Sequence, residues 1–368
     1  MKLRYKIATG LVAVLVVAIT VLAVVLSHDA PCAPPPGAAA GAETMPAVTY
    51  TCYGGPEVLT VAEVEKPAPA ANELLVRVRA AAVNPLDWHY MRGSPYIMRL
   101  GVGVGAPDRP RLGVDFAGTV EAVGAGVTRF KPGDAVFGGE FGAFSGYVTL
   151  SADGAVAPKP SSMNFDEAGS LGIAGLTALQ ALRDKGRVQP GQKVLINGAS
   201  GGVGTFAVQI AKAMGAEVTG VCSTRNVELV RSLGADEVID YKQTDYTQSG
   251  RQWDVIVDNV GNHSILANRS VLADDGRYVI VGAPGGDWLG PLLRPLLAMV
   301  IDPFVGQELV MLMAQQSAED LEALASLAES GQLRATIDRR YGLEEIADAI
   351  RYSETGRARG KIIIEVND

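Results

Sequence analysis

The chain has 368 residues, a net charge of −8, 43 glycines and only 6% aromatic residues. That length accommodates two domains with proper cores, the glycine content suits a turn-rich α/β protein, and the negative charge argues against a nucleic-acid-binding surface. Cys32, Cys52 and Cys222 are far apart, as are His28, His89 and His263, so neither a disulfide framework nor a metal site is expected.

The first element is residues 7–26, an uncharged, mostly apolar run of about 20 residues, the length of a bilayer-spanning helix. Lys2, Arg4 and Lys6 precede it, and His28, Asp29 and Glu43 follow. A cleaved signal peptide has a shorter apolar core, about 7–15 residues, and the prolines beyond Ala30-Pro31-Cys32 disfavour cleavage. Residues 1–26 therefore read as an uncleaved single-pass membrane anchor. Residues 27–45, rich in Pro, Ala and Gly, read as a linker, with 30–43 a tether outside either core. Met45 is an internal start that would give a wholly soluble form.

Short strands with glycine corners come next, at 47–52, 73–82, 118–123, 135–137 and 145–150. In the second, Leu74, Val76 and Val78 face one side and Arg77 and Arg79 the other. This is a barrel-like all-β unit. Residues 165–182 turn helical, and a parallel α/β unit opens at Lys193. Strands are predicted at 193–196, 217–221, 237–240, 254–258 and 278–281, apolar enough for a sheet covered on both faces. A helix at 318–330 and strands at 336–341 and 361–366 are expected to return to the β unit. The predicted domains are thus 46–167 with 305–368, and 168–304.

The run Val194-Leu195-Ile196-Asn197-Gly198-Ala199-Ser200-Gly201-Gly202-Val203-Gly204 carries the chemistry. A strand passes through a glycine turn straight into an amphipathic helix, where bare N–H groups and a helix N-terminus meet a pyrophosphate. Tight turns use glycine too, but here the strand–turn–helix–strand context is complete. Ser200, Gly201, Gly202, Val203 and Gly204 are the expected contacts. An NAD-binding unit carries an acid at the end of the second strand. This chain reads Cys222-Ser223-Thr224-Arg225, and hydroxyls with a guanidinium suit the 2′-phosphate of NADPH instead. Tyr241 adds a phenolic donor. The alternative for Arg225 is a solvated residue at a helix start.

At this point the chain resembles the medium-chain dehydrogenase/reductase superfamily, in its zinc-free quinone oxidoreductase (enoyl reductase-like) branch. The resemblance rests on Tyr53-Gly54-Gly55-Pro56-Glu57-Val58-Leu59, Ala82-Val83-Asn84-Pro85-Leu86-Asp87 and Gly113-Val114-Asp115-Phe116-Ala117-Gly118. Phe130-Lys131-Pro132-Gly133-Asp134, Gly175-Leu176-Thr177-Ala178, the glycine turn and Gly360-Lys361-Ile362-Ile363 extend it. Arg225-Asn226 with Leu233-Gly234-Ala235-Asp236 is similar to the chloroplast-envelope quinone oxidoreductase group. The resemblance implies a GroES-like barrel joined to a Rossmann domain, with NADPH delivering hydride in the cleft to a lipophilic quinone or the C=C of an α,β-unsaturated carbonyl compound. Zinc-dependent relatives have a cysteine at the position of Asn84 and Gly-His-Glu at Gly113-Val114-Asp115, so Lewis-acid chemistry is not expected. A zinc-type alcohol dehydrogenase and a non-catalytic cofactor-binding membrane scaffold are the rivals.

Among single residues, Asn84 is expected to touch nicotinamide or substrate, or to be a turn asparagine before Pro85. Tyr96 is a candidate proton donor or lid, or a surface aromatic. Asp87 is expected to orient backbone or cofactor hydroxyls. Thr177 is placed at a helix start facing the cleft, or is structural. Asn259 and Val260 end a strand at the carboxyl edge of the sheet, and Gly282 ends the next, where backbone approaches the nicotinamide. Lys361 either reaches the cofactor or begins the last strand. Residues 288–313 are strongly apolar, including Leu289, Leu292 and Phe304, but Pro291, Pro295 and Pro303 forbid one long helix. They read as the interface of a homodimer or a core cap, or as a lipophilic substrate wall or membrane-docking surface. Orientation across the membrane has two answers. The charge bias keeps the N-terminus cytoplasmic and sends the enzyme across, whereas cofactor supply favours the cytoplasmic side.

Overall fold

The computed structural model describes every residue except Met1, Pro36, Ala283, Pro284, Leu289, Pro303, Phe304, Asn367 and Asp368. Of residues 2–12, Pro291, Leu292, Arg294 and Pro295 it describes the backbone alone. In chain order, the first part holds α1 (Lys2–Ser27), β1 (Thr44–Thr49), β2 (Thr60–Glu65), β3 (Glu73–Val83), α2 (Pro85–Arg92), α3 (Arg99–Val102), β4 (Asp115–Val123), β5 (Ala135–Gly139), β6 (Tyr147–Ser151), β7 (Val156–Pro158) and α4 (Phe165–Gly169). The middle holds α5 (Gly172–Gln180), β8 (Lys193–Asn197), α6 (Gly202–Ala213), β9 (Glu217–Cys222), α7 (Val227–Ser232), β10 (Glu237–Asp240), β11 (Trp253–Asp258), α8 (Ile265–Arg269), β12 (Leu272–Ile280), α9 (Gly290–Ile301) and β13 (Glu308–Met311). The chain finishes with α10 (Ala318–Glu329), β14 (Ile337–Gly342), α11 (Ile346–Glu354) and β15 (Lys361–Glu365).

The long, alternating β3 is the spine of the β domain. It pairs antiparallel with β4, β6 and β15; β5 adds to β4, β7 to β5, and β14 lies parallel to β15. Val76, Phe116, Val148 and Ile362 fill the core this sheet encloses. The C-terminal strands thus return to the first domain, as the sequence predicted.

The second domain is a six-stranded, wholly parallel sheet in the order β10-β9-β8-β11-β12-β13. Ile196, Val257 and Val279 pack under Phe206 of α6 and Leu324 of α10. The order reverses between β8 and β11, which opens a crevice at their carboxyl ends. One boundary needs correction. Strand β13 pairs with β12, so the parallel sheet runs past residue 304, the expected edge of the domain.

The N-terminal region departs most from expectation. Among the described residues no helix is long and apolar enough to cross a membrane; the side chains of residues 7–12, part of the expected span, lie outside that set. The segment after α1 is also not a free tether. Buried Arg99 donates to the carbonyls of Leu26 (2.9 Å) and His28 (3.1 Å) and pairs with Asp29 at 2.8 Å. The Ala30 N–H donates to Gly105 O (2.8 Å) and Thr51 Oγ1 to Ala33 O (2.5 Å). Cys32 and Cys52 form a disulfide, their Cα atoms 4.7 Å apart. The expectation of unpaired cysteines is overturned because the chain folds back along the end of β1, a contact invisible in spacing alone. Met45 is buried inside β1, so a chain starting there loses the first residue of that strand and the staple.

Candidate active site

The turn after β8 is shaped by two close approaches. Gly198 is left-handed (φ +82°), and a Cβ there would stand 2.8 Å from Val260. At Gly204 a Cβ would lie 2.1 Å from the carbonyl oxygen of Gly198, so only glycine lets α6 start this close to the strand. Gly201 is the N-cap and provides no side-chain hydrogen bond to the first turn. Those N–H groups therefore stand ready for an anion.

The turn forms one wall of a groove of about 560 Å³ between the two domains. Ser200, Gly201, Gly202, Val203 and Gly204 line it, as expected, and so do Ser223, Arg225, Tyr241, Asn259 and Val260. Across from them lie Asn84, Lys361 and the segment 356–358. At the β9 end, Arg225 donates to the Arg357 carbonyl (2.6 Å), which puts two guanidinium-bearing residues beside Ser223 and Tyr241. Arg357 was not singled out from the sequence, since it comes from a distant loop with no motif. Thr224 does not line the groove; its hydroxyl donates to Asp240 (2.7 Å). That bond holds the Asp240 carboxyl below the usual range.

The inner wall is a buried polar cluster. Asn84 Nδ2 donates to Asp115 Oδ2 (2.8 Å) and to the Ala82 carbonyl (3.2 Å), while its Oδ1 accepts from Lys361 Nζ (2.6 Å). Asp115, wholly buried, also accepts from the Ile173 N–H (2.8 Å) and lies 3.5 Å from Lys361 Nζ. Burial pushes the Asp115 carboxyl up and the Lys361 ammonium down from their ordinary values, and each charge opposes the shift of the other. Lys361 begins β15 and also lines the groove. The role of Asp115 was missed because its neighbours come from three separate segments.

Asp87 caps α2, accepting from the Asn84 N–H at 2.7 Å. Burial, with Asp115 nearby, pushes its carboxyl up to about 8. Its Oδ1 is buried without a partner, as is Oδ1 of Asn259.

Besides Thr224, the wholly buried Asp87 does not line the groove, and three further expected residues lie outside it. Thr177 lies within α5 rather than at its start and donates to the Ile173 carbonyl (2.6 Å); Ala174 takes the groove position. Gly282 does not line the groove. A Cβ there would sit 2.1 Å from the Asn259 carbonyl oxygen, so its glycine serves strand packing. Tyr96 is also outside the groove, with the Arg99 guanidinium over its ring and Trp288 against its edge. Within the apolar stretch, Leu289, Phe304 and the Leu292 side chain lie outside the described residues. Among the described residues no group of three or more His, Cys, Asp or Glu side chains is placed to hold a metal.

Residues 70–161 match the alcohol dehydrogenase GroES-like domain, and residues 233–364 the zinc-binding dehydrogenase domain. A chloroplast envelope quinone oxidoreductase homolog of Arabidopsis thaliana is 33% identical over 341 residues, covering 87% of this chain and 98% of the relative. The chain belongs to the quinone oxidoreductase branch of the medium-chain dehydrogenase/reductase superfamily. A trans-enoyl reductase of Aspergillus terreus is 36% identical over 329 residues, 81% of this chain and 87% of that one. The solved quinone oxidoreductase of Coxiella burnetii superposes with a TM-score of 0.78 at 30% identity, covering 88% of this chain and all of that one. The Escherichia coli quinone oxidoreductase complexed with NADPH gives 0.75 at 27%, covering 87% of this chain and 100% of its own. In this chain the buried set of Asn84, Asp115 and Lys361 backs the groove wall opposite the glycine turn.

Proposed function

We propose that the chain is an NADPH-dependent reductase that delivers hydride to a quinone or to the C=C of an α,β-unsaturated carbonyl compound. The observation that carries this reading is the β9 end of the groove, where Ser223, Arg225, Tyr241 and Arg357 converge. A 2′-phosphate fits that donor set, and an NADH-binding acid is missing from it. The pyrophosphate fits the uncapped start of α6. The unpartnered carboxamide oxygen of Asn259, which lines the groove, fits a cofactor donor further in.

NADPH bound there supplies the hydride. The protein then contributes orientation and a positive potential facing the oxygen on which charge develops. Asn84 is held at both ends, by Asp115 and Lys361, so it forms a rigid wall. Lys361 is the basic group of that wall; burial lowers its pKa, and Asp115 at 3.5 Å opposes that shift. The test is NADPH oxidation by the purified full chain against a panel of quinones, alkenals and long-chain enones. Turnover with lipophilic members supports the reading, and tight binding of NADPH without turnover on any of them contradicts it.

We further infer that α1 anchors the enzyme in a membrane. Its 26 residues extend about 39 Å as a helix, its described side chains from Val14 to Val25 are mostly exposed and apolar, and Lys2, Arg4 and Lys6 lead it. The cations in the first turns of α1 and the Cys32–Cys52 disulfide both support a catalytic domain on the non-cytoplasmic, oxidising side. That orientation requires NADPH there. Protease added to sealed vesicles whose cytoplasmic face points outward tests it: protection of the catalytic domain is expected, and its digestion would overturn the orientation. The exposed edge of β13, with Met311 and Met313 beside it, supports a homodimer, measurable by light scattering.

A further inference from the structure

The loop from Ser94 to Gly105 is built around the root of α1. Arg99, 1% exposed, sits between the rings of Tyr53 and Tyr96 and holds the last carbonyl groups of the helix region, at Leu26 and His28. Gly105 receives the Ala30 N–H, and the Cys32–Cys52 disulfide fixes the chain just beyond. This loop also binds a second segment: Tyr96 N–H donates to the Asp287 carbonyl (2.7 Å), Ser94 Oγ to Asp287 Oδ1 (2.6 Å), and the Tyr96 ring meets Trp288 at 4.8 Å. Four large apolar side chains on these joined pieces face solvent: Ile97 (40%), Leu100 (60%), Val104 (50%) and Trp288 (44%). They surround the point where an exposed apolar helix leaves the domain.

A helix on a slack tether would leave such residues in water with no compensation. Here the helix is clamped by one buried arginine and a covalent staple, so the surface around its root is held at a fixed distance from whatever the helix enters. We propose that Ile97, Leu100, Val104 and Trp288 form a rim that rests in the interfacial layer of the bilayer around α1, pressing the catalytic domain onto the lipid surface. Tryptophan beside aliphatic side chains is the composition that partitions into that layer. The inference rests on the reading of α1 as an anchor and adds that the domain is docked rather than swinging.

The test uses the full chain in phosphatidylcholine vesicles that contain lipids brominated high on the acyl chain. Trp288 emission is isolated as the difference between the parent and Trp288→Phe, since Trp253 is buried and Trp88 is common to both. The expected result is loss of roughly half of the Trp288 emission to the brominated lipid, with little effect of aqueous acrylamide. An Ile97→Ser, Leu100→Ser, Val104→Ser variant should still float with the vesicles but lose most of that lipid quenching. Vesicle-bound protein whose Trp288 is quenched by acrylamide and not by lipid would overturn docking while leaving the anchor intact. Trp288 shielded from both quenchers would mean a protein partner such as a second copy covers the rim, which also overturns it. Protein that does not float would remove the anchor reading, and docking with it.

Discussion

Replacing Arg225 with alanine should remove most of the preference for NADPH over NADH. One Nη of Arg225 is committed to the Arg357 carbonyl at 2.6 Å, which aims the rest of the guanidinium along the groove beside Ser223 and Tyr241. A charge-assisted hydrogen bond to a phosphate is worth about 1.5–3 kcal/mol, or roughly 10- to 150-fold in affinity. Arg225 is exposed, so water and salt screen it and the loss should fall toward the 10-fold end. NADH lacks the 2′-phosphate, and its affinity should not move. Calorimetric titration of both cofactors into parent and variant measures this directly, and raising the salt should narrow the parent's preference. Equal affinities in the parent, or an equal loss for both cofactors in the variant, would refute the assignment of this end of the groove.

Other outcomes follow from the buried groups and the staple. Native Asp87 keeps its proton up to about pH 8, whereas the unfolded carboxyl loses it near 3.8, so folding binds one extra proton between those limits. Stability should therefore fall as pH rises through that window, by up to about 1.4 kcal/mol per pH unit from this group. Asp87→Asn should flatten that slope in denaturant titrations, and an unchanged slope would count against a neutral Asp87. Replacing Cys32 and Cys52 with serine should lower unfolding stability by about 3 kcal/mol, the chain-entropy value for a loop of 20 residues; an unchanged midpoint would show the stem held by its hydrogen bonds and the Arg99–Asp29 pair without the disulfide. Chelator treatment should leave activity and melting temperature unchanged, while loss of both along with a stoichiometric metal would point to a zinc-type enzyme.

The cofactor half of the groove was legible because its determinants are local. The strand, the glycines and the helix of the turn are contiguous, and Gly198 and Gly204 occupy positions where a side chain cannot fit. The end of β9 was readable for the same reason. Contacts between distant segments were not. Arg357 reaches Arg225 across 132 positions, and Asp115 meets Asn84 and Lys361 only because β3, β4 and β15 are neighbours in one sheet. Residue type misled at Thr177 and Gly282, where a hydroxyl and a glycine that suit a cofactor serve a helix carbonyl and a strand contact. The stem of α1 was the largest misreading. A Pro, Ala and Gly composition says that a segment has little core of its own, yet Arg99 and Cys52 supply the partners from the folded domain.

The most direct test of hydride transfer is single-turnover reduction of a lipophilic quinone and a long-chain enone by the detergent-solubilised full chain, using NADPH deuterated at the transferring position of the nicotinamide. The prediction is one NADPH oxidised per acceptor reduced, with deuterium at the β-carbon of the enone product. NADPH that binds in the groove yet stays unoxidised with both acceptor classes would contradict it, and would leave a cofactor-binding scaffold in place of an enzyme.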